Sequence, residues 1–196
     1  VPDFPLSPLK IVAAWWGEAR AANEADPDAM VLATVSREGM PSSRVVLCRG
    51  LDQSGARFFT NYESRKGKEL AQNPRASALF YWPLLRRQVR LEGVVEKLSA
   101  AESDAYFSQR PRGHQIGAWA SAQSHPLASL DALTSRYAEL DKTWHKQVVP
   151  RPPFWGGYRL VPDAIELWQE GENRLHTRRA FRRERANEWV ETLLAP

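Results

Sequence analysis

Residues 88–96 constrain the fold most: Val89, Leu91 and Val95 alternate with Gln88, Arg90 and Glu96. Side chains that change face at every residue make a strand with one apolar and one polar side. Other segments read the same way. Residues 30–36 and 42–49 are rich in β-branched side chains and are joined by Arg37-Glu38-Gly39, whose glycine suits a short hairpin with a bulge. Residues 57–61 form a third strand after the Gly55 turn, residues 75–82 a fourth, and strands resume at 155–160 and 164–169. Helical spacing appears at 9–22, where Ile11, Ala14, Trp15 and Ala19 share a face before the Asp26-Pro27-Asp28 breaker. Ser64 is placed to cap a helix reaching Asn73, and further helices are expected at 100–109 and 127–146. Antiparallel strands interrupted by a few helices predict an α+β chain with a mostly antiparallel, barrel-like sheet and flanking helices. No GxGxxG or GxxxxGK signature supports a Rossmann site or P-loop.

A chain of 196 residues fits one domain spanning residues 1–196. No apolar run approaches the length that spans a bilayer, and residues 1–10 carry three prolines and an aspartate where a secretory signal needs a basic start and an apolar stretch. A lone cysteine, Cys48, excludes an internal disulfide and a cysteine-based zinc site. His114, His125 and His145 lack a short metal-ligand spacing, so no metal is expected. These features fit a cytoplasmic protein with no membrane partner. The net charge of +4 and a pI near 9.4 favour an anionic partner, and by charge alone nucleic acid and small phosphates both qualify.

Three segments carry chemistry. In Asn61-Tyr62-Glu63-Ser64-Arg65-Lys66-Gly67 a strand turns into a helix with two cations in its first turn. Cations there oppose the helix dipole, and a bound phosphate would resolve the conflict by pairing with the helix end and both side chains. In Arg44-Val45-Val46-Leu47-Cys48-Arg49 the two arginines fall on opposite faces of a regular strand. In the segment from Trp168 to Arg178, Arg174, His176 and Arg178 share one parity, so an extended chain would project two cations and an imidazole from one face.

With Arg87-Gln88-Val89, Ser108-Gln109-Arg110-Pro111, Gln115-Ile116-Gly117-Ala118-Trp119, Phe154-Trp155-Gly156-Gly157-Tyr158 and Asn173-Arg174-Leu175-His176, these segments form an ordered set that resembles the pyridoxamine 5'-phosphate oxidase family from about Ala29 to the C-terminal Pro196. The resemblance implies an FMN-binding split β-barrel and a homodimer with FMN at the subunit interface. It also implies oxidation of pyridoxine or pyridoxamine 5'-phosphate to pyridoxal 5'-phosphate by hydride transfer from C4' to flavin N5, with dioxygen reoxidising the flavin. On this reading the partner is a small molecule and no nucleic acid is expected; the alternatives are a related flavin oxidase acting on another aromatic metabolite, of the phenazine type, and a non-catalytic domain that binds FMN or nucleic acid. By the same resemblance Arg44, Val45, Val46, Leu47, Phe59, Thr60, Arg65 and Lys66 contact FMN. So do Gln88, Gln123, Ser124, Trp168 and Arg178. Arg49, Tyr106, Arg110 and His114 align with holders of the substrate phosphate, and Arg174 and His176 with residues against its reacting end. The sequence departs from the family at Arg49, usually Lys, at His114, usually Ser, and at Leu193, commonly Arg. The sequence given begins close to the first helix, where relatives carry a longer N-terminal segment that helps cover the substrate.

Overall fold

The computed structural model describes residues 7–185 and 188–196; the start of the N-terminal stretch read above for export signals, residues 1–6, lies outside them. Helix α1 (Pro8–Ala21) opens with proline, whose missing N–H costs nothing in a first turn, and buries Leu9, Val12 and Ala19. Strands β1 (Ala29–Val35) and β2 (Pro41–Leu47) form the expected hairpin. Its turn closes through Ser36 N–H to Met40 O, with Gly39 at φ +83°, a conformation that favours glycine. β3 (Gly50–Asp52) and β4 (Gly55–Asn61) form a second hairpin, and α2 (Arg65–Gln72) follows. β5 (Arg75–Trp82) and β6 (Arg87–Lys97) pair next. Helices α3 (Ala100–Ser108), α4 (Arg112–Ala120) and α5 (Leu130–Thr143) precede β7 (Trp155–Gln169), β8 (Thr177–Arg185) and β9 (Glu188–Leu194).

Every pairing is antiparallel, in the order β2-β1-β5-β6-β7-β4-β3, with β8 attached to β7 and β9 to β8. The two strands expected at 155–160 and 164–169 are one 15-residue strand, β7. Its register against β6 shifts at Glu92/Gly93, so that Gly93 faces Pro162, Glu92 faces Ala164, and Asp163 is the extra residue. A proline, which cannot donate to a ladder, is tolerated at such a bulge. The bulge also divides the sheet. Residues 155–160 of β7 pair with β4, and residues 164–169 pair with β8.

The core beneath the sheet gathers Leu9 and Val12 of α1 with Met30, Leu32, Phe58, Phe80, Trp82, Leu91, Leu160 and Ile165. A second cluster, Phe107, Ile116, Val149 and Trp155, joins α3, α4 and the chain leading into β7, with Phe59, Tyr106 and Tyr137 packed against it. Among the described residues no helix is long and apolar enough to cross a membrane.

Candidate active site

Three groups of side chains stand out, and strand register decides which residues enter each. The first surrounds the start of α2. Ser64 caps the helix by accepting from Gly67 N–H, as its sequence position predicts. The helix can begin there because residue 67 has no side chain: a Cβ would lie 2.2 Å from Tyr62 O. Lys66 is buried, and its Nζ donates to Thr60 Oγ1 and Gln123 Oε1, both at 3.0 Å, and to Ser64 Oγ at 3.4 Å. Burial, reinforced by the nearby Arg44 charge, pushes its pKa down to about 8. Arg65 Nε donates to Glu69 Oε1 one helical turn away at 2.9 Å, while Arg44 reaches Thr34, Ser42 and the same Glu69. Part of the conflict foreseen for two cations at a helix start is thus met inside the protein, by Glu69 and by three side-chain oxygens around Lys66. What remains is a buried ammonium beside Arg44 and Arg65, an arrangement that favours an anion.

The second group is an aromatic box. Phe59 and Tyr106 stack with ring centroids 3.7 Å apart, and the Arg110 guanidinium lies 4.6 Å from the Trp155 ring centroid. Among the described residues, Arg110 NH1 is buried without a hydrogen-bond partner. Burial disfavours its charge, Tyr106 favours it, and the neighbouring Arg49 opposes it; among the described residues no carboxylate pairs with this guanidinium. Arg49 stands just beyond β2, its NH1 3.4 Å from Asp28 Oδ2. His114 is exposed in the first turn of α4, soon after Arg110. Phe59 and Thr60 are consecutive on β4, so the box and the first group adjoin through the backbone.

The third group spans β6, β7 and β8. Register sets Gln88 opposite Trp168 and Trp168 opposite Arg178. With Leu79, Arg90, Glu166 and Pro196 they line an open cavity of about 290 Å³. Arg178 Nε donates to Glu166 Oε1 at 2.9 Å, and Arg90 holds the other carboxylate oxygen at 2.5 Å. His176 packs on Trp168, ring centroids 4.8 Å apart, and its Nδ1 accepts from Gly171 N–H at 3.2 Å.

The predicted parity of Arg174, His176 and Arg178 does not hold. Glu172–Arg174 is a 3-10 turn, with φ +53° at Asn173 and +64° at Arg174, so Arg174 is not part of an extended strand. Arg44–Leu47 also divides: Arg44 turns toward Glu69, whereas Val45 and Leu47 are exposed on the opposite face, Val45 in register with Val31. Ser124, at φ +70°, sits in the bend between α4 and α5 that also supplies Gln123. Sequence reading did not single out Glu69 or Glu166 as members of these groups; their spacing to Arg65 (i, i+4) and Trp168 (i, i+2) is the only signal for either.

The model for pyridoxamine 5'-phosphate oxidase matches residues 17–143, and that for the pyridoxine 5'-phosphate oxidase C-terminal dimerisation region matches residues 155–196. The chain belongs to the pyridoxamine 5'-phosphate oxidase family. It is 51% identical to the pyridoxine/pyridoxamine 5'-phosphate oxidase of Cupriavidus necator over 194 residues, 99% of this chain and 91% of that protein. It is 50% identical to the protein of the same name from Rubrobacter xylanophilus, over 96% of this chain and 87% of that one. Among solved structures it is similar to PhzG from Burkholderia lata 383, bound there to tetrahydrophenazine-1-carboxylic acid, with TM-score 0.93, 35% identity, and coverage of 100% of this chain and 97% of that chain. A pyridoxamine 5'-phosphate oxidase-related FMN-binding protein from Nostoc punctiforme matches with TM-score 0.79 at 20% identity, covering 98% of this chain and 100% of that one; it shares the fold, the split barrel expected from sequence.

As a pyridoxamine 5'-phosphate oxidase family member the chain is an oxidoreductase with FMN as cofactor. The donors around α2 suit the flavin's phosphate: a buried Lys66 ammonium, the Arg44 and Arg65 guanidinium groups, and the first N–H groups of the helix, at Arg65 and Lys66. Among the described residues no group of three His, Cys, Asp or Glu side chains could hold a metal ion.

Proposed function

We propose that this chain, as a homodimer, oxidises pyridoxamine or pyridoxine 5'-phosphate to pyridoxal 5'-phosphate. The observation that carries the substrate is Arg110, a guanidinium whose buried NH1 has no hydrogen-bond partner among the described residues, in an aromatic box one residue from the α2 anion site. A phosphorylated aromatic ring supplies both the anion and the stacking surface that the box lacks.

In this reading Arg44, Arg65 and Lys66 hold the flavin phosphate, with Thr60 and Gln123 fixing Lys66. Phe59, Ser124 and Val45–Leu47 line the flavin, while Gln88, Trp168 and Arg178 form a separate face. Among the described residues, that face shares no hydrogen bond, ion pair or ring contact with the α2 group, which favours completion of each site by a second copy of the chain through its C-terminal dimerisation region. Bound FMN supplies a hydride acceptor at N5 that dioxygen can restore.

The protein's part is binding and alignment. Arg49, Tyr106, Arg110 and His114 take the substrate phosphate, and Arg174 and His176 lie at the reacting end. His176 accepts a hydrogen bond at Nδ1, so its neutral ring carries the proton on Nε2 and serves as a donor to the substrate's C4' oxygen or nitrogen substituent. A general-base role would require the other tautomer.

A second reading is an oxidase of reduced phenazine carboxylates, favoured by the similarity to PhzG and by Arg49 and His114. A carboxylate would then replace the phosphate at Arg110. The purified yellow protein is assayed under air with both B6 phosphates and with tetrahydrophenazine-1-carboxylic acid, following pyridoxal phosphate and peroxide. Turnover of a B6 phosphate with the higher kcat/KM supports the first reading, and its absence with both B6 substrates rejects it.

A further inference from the structure

Glu69 is out of place in an anion site. It is 5% exposed, pairs with Arg44 and Arg65, lies three residues after Lys66 on α2, and would repel any phosphate held by those cations. Its two oxygens are nevertheless fully engaged. Oε2 accepts from Thr34 Oγ1 on β1 at 2.5 Å, from Ser42 Oγ on β2 at 2.7 Å and from Arg44 NH2 at 3.4 Å, while Oε1 accepts from Arg65 Nε at 2.9 Å. A single carboxylate therefore joins the β1–β2 hairpin to α2.

We propose that Glu69 is a positioning residue for the flavin phosphate: it ties the Arg44 and Arg65 guanidinium groups to one point so that both cations converge on the same anion. The inference rests on the reading of Arg44, Arg65 and Lys66 as phosphate contacts.

The way each arginine is held fits this role. Among the described residues Arg65 is engaged through Nε alone, which leaves its terminal nitrogens for a second oxyanion, and its side chain is 61% exposed, so without the tether it would range through solvent. Arg44 directs NH1 to Leu32 O and Thr34 Oγ1, and NH2 to Ser42 Oγ and Glu69, which fixes the guanidinium plane. Glu69 also offsets the repulsion between Arg44 and Arg65. Burial acts against its charge, but the hydrogen bonds from Thr34, Ser42 and Arg65 and the Arg44 charge outweigh it and hold the pKa near 2. The tether is ionised throughout the working range of pH.

The test compares FMN with riboflavin, which shares the ring system and lacks the phosphate. The flavin is stripped from purified wild type, Glu69→Ala, Glu69→Gln and Lys66→Met, then each flavin is titrated back by fluorescence. For Glu69→Ala the expected result is an FMN affinity lower by about tenfold with riboflavin affinity within about twofold, so the preference for the phosphorylated flavin collapses. Glu69→Gln, which keeps an acceptor for Arg65, loses about threefold and carries the decision if the alanine variant does not fold. A purely structural Glu69 would lower both affinities together, or neither, and either outcome overturns the inference. Lys66→Met separates the two levels. If it abolishes the preference while the Glu69 variants keep it, only the role of Glu69 falls; if it too leaves the preference intact, the cradle reading falls with it.

Discussion

Lys66 is held near the point where it would lose its proton, with burial and the Arg44 charge opposing its ammonium form and Thr60, Ser64 and Gln123 accepting its hydrogens. A bound phosphate dianion raises that pKa, so binding above pH 8 must draw a proton from solvent. FMN affinity should therefore fall as pH rises through about 8, by up to about tenfold per unit, and Lys66→Met should remove the dependence. Titration of FMN binding between pH 7 and 10 measures it. At Arg110 the expectation concerns substrate. Arg110→Ala should raise KM for a B6 phosphate at least about tenfold and change kcat less, because the lost contact acts equally on ground and transition states. Arg110→Lys should not restore it, since an ammonium cannot reproduce a planar group stacked on Trp155. Steady-state kinetics on the three proteins decide.

At the scale of elements, the start of α2 depends on two small residues, Ser64 and Gly67. Ser64→Ala removes the cap and should cost about 1 kcal/mol in thermal or urea denaturation, with weaker FMN retention because Lys66 loses one of its acceptors. Gly93→Ala, which would set a Cβ 2.0 Å from Val161 O at the bulge, should cost about 3 kcal/mol by the same measurement. The strands β1, β2, β5 and β6 and the cap of α2 were legible in sequence because alternation and turn chemistry act locally there. Helix α4 was not: Arg112-Gly113-His114-Gln115-Ile116-Gly117-Ala118-Trp119-Ala120 contains two glycines and buries only Ile116 and Ala120, which leaves little periodicity to read. β3, at three residues, is too short for a pattern, and Pro162 reads as a breaker unless the bulge beside it at Asp163 of β7 is known. The parity expected at Arg174 failed for a related reason. Asn173 and Arg174 take left-handed backbone, which Asn accommodates more readily than most residues, so a run that looks extended turns instead. The cations of the α2 site were visible as sequence; the carboxylate that organises them was not, because the convergence of Glu69 with Thr34 and Ser42 exists only once the hairpin packs on the helix.

Across the whole molecule one row of cross-strand neighbours runs Val45, Val31, Leu79, Arg90, Glu166, Ala180, Thr192, from β2 to β9. Val45 and Val31 remain 64% and 40% exposed at one end of it, and the Arg90–Glu166–Arg178 cluster occupies the middle. If this face meets a second copy, as the proposed homodimer requires, Val31→Asp should give monomers in light scattering and a colourless protein, whereas Phe80→Ala in the core should leave assembly intact at a cost of about 3–5 kcal/mol. The division of the sheet at Pro162 has a kinetic counterpart. The β8–β9 ribbon is attached to β7 only along residues 164–169 and, among the described residues, places Phe181 alone in the buried core. Amide protons on that ribbon should exchange with deuterium well before those of β5 and β6, so the isolated chain would breathe from its C-terminal end and be quieted there by its partner.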